Sequence, residues 1–455
     1  MKGKSIKENA QVLAMKTALS YINGKDPDEA IEKVLSWVDK FDEKDGTVAV
    51  QRKYIHQYLG DKNGNWYRFV KSFWDDIDPD VRMRTFENFI INATILGGRR
   101  KKEAMEKYGC NIPWTILIDP TSACNLHCTG CWAAEYGNKL NLDYDTLDSI
   151  IRQANELGVR MFLFSGGEPL VRKKDILKLC ASHPDSQFMA FTNGTLIDDE
   201  FADAMLEVKN FIPAISVEGF EEATDFRRGE GTFKSIEKAI GILRSHKLPF
   251  GVSCCYTHQN VNVIGSEEYF DWMIDNGAKF AWLFTYVPVG KGAPTNLMAT
   301  AEDRAFMYRK IREYRNTKPI FTMDFWNDGE YVKGCIAGGR YYFHINANGD
   351  AEPCAFIHYS DTNIKTHTLI EALQGPLFQQ YAAHQPFSPN YLRPCPLLDN
   401  YGALSSMVHE AKAESTDLAA KEDVDELCGK CRTAAENWKK TADGIWSSTH
   451  PGEPV

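Results

Sequence analysis

The 455-residue sequence predicts an α/β fold: a partial (β/α)6 barrel with a helical N-terminal domain and a small C-terminal domain. Three observations predict it. Six short apolar runs end in turn residues and alternate with amphipathic helical stretches, the pattern of a parallel sheet with right-handed crossovers. Polar and Gly-rich residues cluster after each run, where βα folds build their sites. Residues 1–108 contain no cysteine and little strand signal.

The N-terminal domain, 1–108, reads as helices: "DEAIEKVLSWVDKFD" places Ile31, Val34, Leu35 and Val38 on one face. Its simplest role is a helical cap. The core, 109–328, opens with "WTILIDP". The helix that follows has Asp143 as its N-cap, apolar Leu147, Ile150, Ile151, Ala154 and Leu157 on one face, and Gly158 as its stop. "RMFLFSGGEP", "SQFMAFTNG", "FIPAISVEG", "PFGVSCCY" and "KFAWLFTYVPVG" are the remaining runs. After about residue 330 the alternation stops. The C-terminal domain, 329–455, opens with "RYYFHINANGDAEPC", a β-hairpin with an Asn-Gly turn, and ends in a helical tail.

A net charge of -10 argues against a nucleic-acid-binding chain. The start, "MKGKSIKENAQVLAMK", lacks an apolar signal core, and no run of 18 apolar residues is present, so a cytoplasmic location is expected. In a reducing compartment, twelve cysteines read as metal ligands plus buried thiols, not disulfides.

The chemistry is concentrated in "CNLHCTGCW", where Cys124, Cys128 and Cys131 fall within nine positions. Thiolates are soft ligands that select zinc, Cu(I) or iron-sulfur clusters. Three on one loop can hold three corners of a 4Fe-4S cube and leave the fourth iron open. A zinc site completed from elsewhere, or three buried cysteines, is the alternative.

This loop resembles the signature of the radical S-adenosylmethionine (radical SAM) superfamily, and the later loops agree in order. "SGGEP" matches the family's Gly-Gly-Glu-Pro motif, "TNG" ends the third run, "SVEG" is similar to a Ser-x-Asp-Gly stretch, and "FRRGEGTF" to the Arg-Gly segment after it. The resemblance implies a radical SAM barrel whose open iron chelates SAM, with a 5′-deoxyadenosyl radical as the product of reductive cleavage. It implies that Gly166 and Gly167 let the backbone approach the methionine moiety and that Glu168 accepts from its ammonium group. Ser216 and Glu218 would approach the ribose, and Arg228 would pair with the carboxylate. It also implies an electron donor such as flavodoxin or ferredoxin. The sequence departs from the family at Gly130, where an aromatic residue often precedes the third cysteine; Trp132 follows it instead.

Five more cysteines lie in the last third. Cys335, Gly349 and Cys354 fit the opening of the SPASM/twitch extensions of that family, which hold auxiliary clusters. The full SPASM pattern is absent, so the resemblance implies one second iron-sulfur cluster on Cys335, Cys354 and Cys395. Its fourth ligand would be Cys428, Cys431 or a non-cysteine group. "CGKC" reads alternatively as a zinc or redox pair, or as surface thiols. Of the adjacent Cys254 and Cys255, one must face the barrel interior. Asp324 is a candidate base or a cap, and no histidine shows ligand spacing.

The expected activity is therefore hydrogen abstraction by a radical SAM enzyme, of oxidoreductase or transferase type, with its catalytic residues unassigned. SPASM-bearing relatives often modify peptides or proteins, which come first as substrate; a lipid or other small molecule is the alternative. The Phe/Trp-rich helices and "GRRKK" suggest peripheral membrane contact. A rival from another class is a non-catalytic iron-sulfur electron carrier.

Overall fold

The computed structural model describes residues 6–45 and 49–455. Residues 1–5, where the stretch read for a secretory signal begins, lie outside it. One sheet organises the chain. Its strands are β1 (Thr115–Ile118), β2 (Met161–Phe164), β3 (Gln187–Thr192), β4 (Phe211–Ser216), β5 (Gly251–Tyr256) and β6 (Phe280–Thr285). To these the structure adds β7 (Phe321–Asp324), β8 (Tyr342–Ile345) and β9 (Ala351–Glu352). The order is β7-β6-β5-β4-β3-β2-β1-β8-β9, and every neighbouring pair is parallel except β8 with β9.

The six expected strands are present in the expected order, but they are not the whole sheet. β7 extends one edge. The expected hairpin forms from β8 and β9, yet β8 also pairs with β1, Thr115 opposite Tyr342. The sheet therefore continues past residue 328. The reason is long-range: β1 would otherwise be an unpaired edge at the base of the cysteine loop, and β8 supplies the missing ladder.

Each local signal has a structural counterpart. The side chain of Asp143 accepts from the Thr146 N–H at 2.7 Å, and Gly158 ends that helix at φ +93°, a left-handed conformation natural to glycine. Leu147, Ile150, Ile151, Ala154 and Leu157 are buried in the layer between helices and sheet.

The N-terminal helices lie across the turns that feed the N-terminal ends of the strands. Asn88 Nδ2 donates to the Pro184 and Ser186 carbonyls before β3, at 3.2 and 3.0 Å. The Asp78 N–H donates to the Lys247 carbonyl before β5 at 2.8 Å, and Lys279 before β6 pairs with Asp76. Asn65 Nδ2 reaches the Arg315 and Lys318 carbonyls before β7. These helices cover one end of the barrel. Within them, Glu87–Leu96 is wound as a π-helix, a form that is rare at such length and frequent at functional sites.

At the other end, the long helix Val424–Thr449 buries Trp438 and Trp446 against the helix Ala301–Thr317. Arg304 stacks over Trp438, 4.1 Å from the ring centre, and pairs with Asp399 at 2.5 Å. Among the described residues, no helix is long and apolar enough to cross a membrane.

Candidate active site

The loop after β1 carries Cys124, Cys128 and Cys131, and five neighbours fix its path. Asn125 Nδ2 donates to Thr195 Oγ1 at 2.8 Å, and Asn193 Nδ2 donates to Asn125 Oδ1 at 2.9 Å, tying it to "TNG". The Thr129 N–H donates to the Arg227 carbonyl at 2.8 Å. From the loop after β2, the Gly167 and Glu168 N–H groups donate to the Thr121 and Ala123 carbonyls at 3.0 and 2.8 Å. A Cβ on Gly166 would lie 2.4 Å from the Thr121 oxygen, and one on Gly167 2.2 Å from the Ala123 oxygen. In this structure the two glycines let one loop backbone press against the other, where the resemblance had implied approach to a ligand.

Gly130 has φ +67°, and its missing side chain is replaced in space: a Cβ there would lie 2.6 Å from the ring of Tyr286. The aromatic group absent from position 130 is thus supplied from the end of β6. The sequence offered no local signal for it. Trp132 turns its ring into the cavity, edge-on to His344 and Phe356 at 5.5 and 6.0 Å.

One cavity of about 460 Å³ joins the two cysteine regions. Cys124, Cys128 and Cys131 line it with Gly166, Gly167 and Glu168; Ser216, Arg228 and the unforeseen Arg227 line it beside them. Cys335, Cys354 and Cys395 line it as well. Among the described residues, no three His, Cys, Asp or Glu side chains converge on a point that one metal ion could occupy.

Glu168 is buried. Its Oε1 accepts from the Leu170 N–H at 2.9 Å and Thr192 Oγ1 at 2.7 Å, and its Oε2 accepts from the Asn193 N–H at 2.7 Å. Each carboxylate oxygen has two lone pairs, so Oε2 keeps acceptor capacity toward the cavity. Burial pushes its pKa up, against those hydrogen bonds. A cationic partner would reverse that.

Glu218 does not line the cavity. It is completely buried behind the wall, where Arg227 pairs with its Oε1, Arg228 Nη2 lies 2.5 Å from the same oxygen, and the Cys255 N–H donates to Oε2 at 3.0 Å. Burial alone would raise its pKa, but the two guanidinium groups hold it below the usual carboxylate range. Arg228 Nη1 is also 4.0 Å from Cys128 Sγ, so Glu218 positions a cation against the cysteine loop.

The C-terminal cysteines share one apolar cluster, in which Cys428 and Cys431 are core members and Cys335, Cys354 and Cys395 pack against it. Cys335 precedes β8 and Cys354 follows β9; the Asn348-Gly349 turn, with Gly349 at φ +92°, returns the chain, and the Gly338 N–H donates to the Pro353 carbonyl at 2.9 Å. Tyr342 OH is 2.7 Å from Cys354 Sγ. Burial pushes the Cys335 thiol up to about 11 and the Cys354 thiol to about 12. Cys428 and Cys431 do not line the cavity, and they are not surface thiols: both are buried on one face of the last helix, since residues three apart on a helix are neighbours. On β5, Cys255 faces the cavity and Cys254 faces away, to Tyr269 OH at 3.3 Å. Asp324 is buried away from the cavity, where its Oδ1 accepts from the Trp326 and Asn327 N–H groups at 3.3 Å and its Oδ2 from Asn327 Nδ2 at 2.7 Å, holding a turn.

The sequence also missed a buried ion network between the two regions. His344 on β8 has Nε2 2.9 Å from Asp119 Oδ2 and Nδ1 2.7 Å from Glu352 Oε2. Ser165 Oγ donates to Asp119 at 2.6 Å; Tyr136 OH and Thr416 Oγ1 donate to Glu352 at 2.7 and 2.6 Å. Burial would lower the imidazole pKa, but the two carboxylates outweigh it and raise the value to about 10. The available signal was a histidine inside an apolar strand, eight residues before a glutamate across an Asn-Gly turn.

Three soft thiols at the C-terminal face of a parallel barrel, beside a buried carboxylate and an arginine pair, define an iron-sulfur enzyme with a charged small-molecule cofactor. Residues 118–266 match the model of the Radical SAM superfamily, the family this part of the chain is similar to. An uncharacterised protein of Methanocaldococcus jannaschii is 26% identical over 252 residues, 52% of this chain and 84% of that one. The AdoMet-dependent heme synthase of Methanosarcina barkeri is 23% identical over 284 residues, 56% of this chain and 80% of that protein. The crystal structure of Streptococcus suis SuiB superposes with a TM-score of 0.52 at 19% identity, over 71% of this chain and 82% of that one, a likeness of fold. Residues 118–266 thus form a radical SAM domain whose named relatives are enzymes, and that family implies a 4Fe-4S cluster and SAM.

Proposed function

We propose that Cys124, Cys128 and Cys131 hold the SAM-binding 4Fe-4S cluster, and that Cys335, Cys354 and Cys395 hold a second, auxiliary cluster in a SPASM/twitch-like domain. The fourth ligand of the second comes from Cys428, Cys431 or a non-cysteine group. The single observation that carries this reading is the one cavity that both cysteine sets line. When bound, the first cluster supplies the reducing electron and the open iron at which SAM is cleaved to the 5′-deoxyadenosyl radical. The protein's own groups then do the positioning. Glu168 Oε2 holds the SAM ammonium group, Arg228 stands by Cys128 and the SAM carboxylate, and Ser216 lies by the ribose. The electron-carrier alternative leaves Glu168 and the arginine pair at the cavity without a ligand to serve. The electron comes from a donor such as flavodoxin or ferredoxin. Of substrates, the resemblance puts a peptide or protein first and a lipid or other small molecule second. Peripheral membrane contact is a further proposal, supported by exposed Arg99 and Lys102 on the helix that also exposes Ile90 and Met105.

The test is an iron count on protein reconstituted without oxygen. Wild type should carry about eight irons, counting four per cube, and the Cys335→Ala/Cys354→Ala variant about four. A wild-type count of about four, all lost in the Cys124/Cys128/Cys131→Ala variant, would remove the second cluster. Circular dichroism on each variant controls for the coupling of metal binding to folding.

A further inference from the structure

The cavity does not stop at the cysteines. The interior of a βα barrel is ordinarily filled by layers of side chains. Here the cavity also takes lining from Thr115 and Met161, the first residues of β1 and β2, and from Trp114 and the π-helical Phe89 at the capped end. It therefore runs the depth of the barrel. Its charged lining residues are Glu168, Arg227 and Arg228, and all three stand beside the cysteine loop. Past them the wall is Leu117, Leu163, Met189, Phe191, Trp282 and Met323. In that stretch Trp282 Nε1 is a buried donor without a partner among the described residues.

We propose that the substrate is an amphiphile whose hydrocarbon chain, alkyl, acyl or isoprenoid, lies in this part of the barrel and presents an unactivated C–H to the radical. The inference rests on the radical SAM reading of the same site. Binding energetics favour a hydrocarbon over a peptide. Each methylene taken from water into such a wall favours binding about fourfold. Each peptide group buried without a partner disfavours it about five- to a hundredfold, and a peptide brings one N–H and one C=O per residue. The wall offers few polar groups: the Trp282 indole N–H, which can only donate, and the Ser253 hydroxyl on β5, with the Tyr381 OH, unpartnered among the described residues, near the C-terminal cysteines. So few groups suit one or two carbonyl, ester or ether oxygens on an otherwise apolar chain, not the N–H and C=O of every residue of a peptide. Trp132 and Phe356, in edge contact between the two cysteine sets, continue the apolar wall toward Cys354.

The experiment uses cis-parinaric acid, an 18-carbon polyene that fluoresces when shielded from water, with the full chain reconstituted without oxygen. It should bind saturably, one per chain, and be displaced by methyl palmitate but not by a glycine-alanine decapeptide. Leu163→Trp, which fills the barrel, and Ala355→Phe, at the other end of the cavity, should each weaken binding about tenfold, with circular dichroism showing that each variant is folded. Absence of saturable binding, displacement by the decapeptide, or wild-type affinity in both folded variants would overturn the proposal. SAM cleavage, assayed separately on the same wild-type preparation, reports on the radical reading alone. Its absence would overturn that reading, while saturable parinaric acid binding would still uphold the apolar site.

Discussion

Replacing His344 by Gln tests whether the buried ion network braces the site. The ring nitrogens lie 2.9 Å from Asp119 and 2.7 Å from Glu352, and these carboxylates raise the pKa to about 10, so the ring is an imidazolium at neutral pH. Gln cannot carry the charge, and two fully buried carboxylates are left uncompensated. Breaking a buried pair in this way costs about 3–5 kcal/mol. At about 2 °C per kcal/mol for a large domain, Tm should fall by roughly 6–10 °C at pH 7. The pH dependence follows from the raised pKa. A group whose folded value, about 10, lies above its ordinary 6.5 contributes fully below 6.5, and the contribution is lost as pH rises through 10. Differential scanning fluorimetry of apo wild type and variant at pH 7, 8.5 and 10 should therefore show a gap that narrows toward pH 10. A gap under about 2 °C at pH 7, or one that stays constant with pH, would refute the assignment of a buried imidazolium.

Glu168→Ala should weaken SAM binding while the first cluster still assembles; a titration giving wild-type SAM affinity would remove Glu168 from the site. Glu218→Gln leaves two buried guanidinium groups without their counter-charge and should cost about 3 kcal/mol. A thermal midpoint equal to wild type would show that the arginines are balanced by other groups. Gly167→Ala places a methyl group 2.2 Å from the Ala123 carbonyl oxygen, so the cysteine loop must move and iron uptake at the first site should drop. Full iron content in that variant would show that the two loops are not fitted to each other.

What the sequence made legible was local. The cysteine spacing, "SGGEP", the Asp143 cap and the Gly158 stop each depend on a few adjacent residues, and the cap and the stop stand where they were expected. The hairpin was legible too, because Asn348-Gly349 encodes its own turn. What escaped depends on pairing between distant residues. β8 completes β1 across more than two hundred residues, Tyr286 fills the space at Gly130, and His344 meets Asp119 from another strand. Glu218 was implied to face the ribose by the likeness of "SVEG" to a Ser-x-Asp-Gly stretch; the arginine pair that captures it lies on the next helix, outside that motif. The cavity was the least legible feature, since alternating apolar residues on a strand read the same whether the space between them is filled or open.

The central claim is tested most directly by SAM cleavage. Protein reconstituted without oxygen and reduced with dithionite should convert SAM to 5′-deoxyadenosine, slowly and without added substrate. The Cys335→Ala/Cys354→Ala variant should still do so, because that step needs only the first cluster. The Cys124/Cys128/Cys131→Ala variant should yield none. 5′-Deoxyadenosine at the wild-type level from that triple variant would contradict the account.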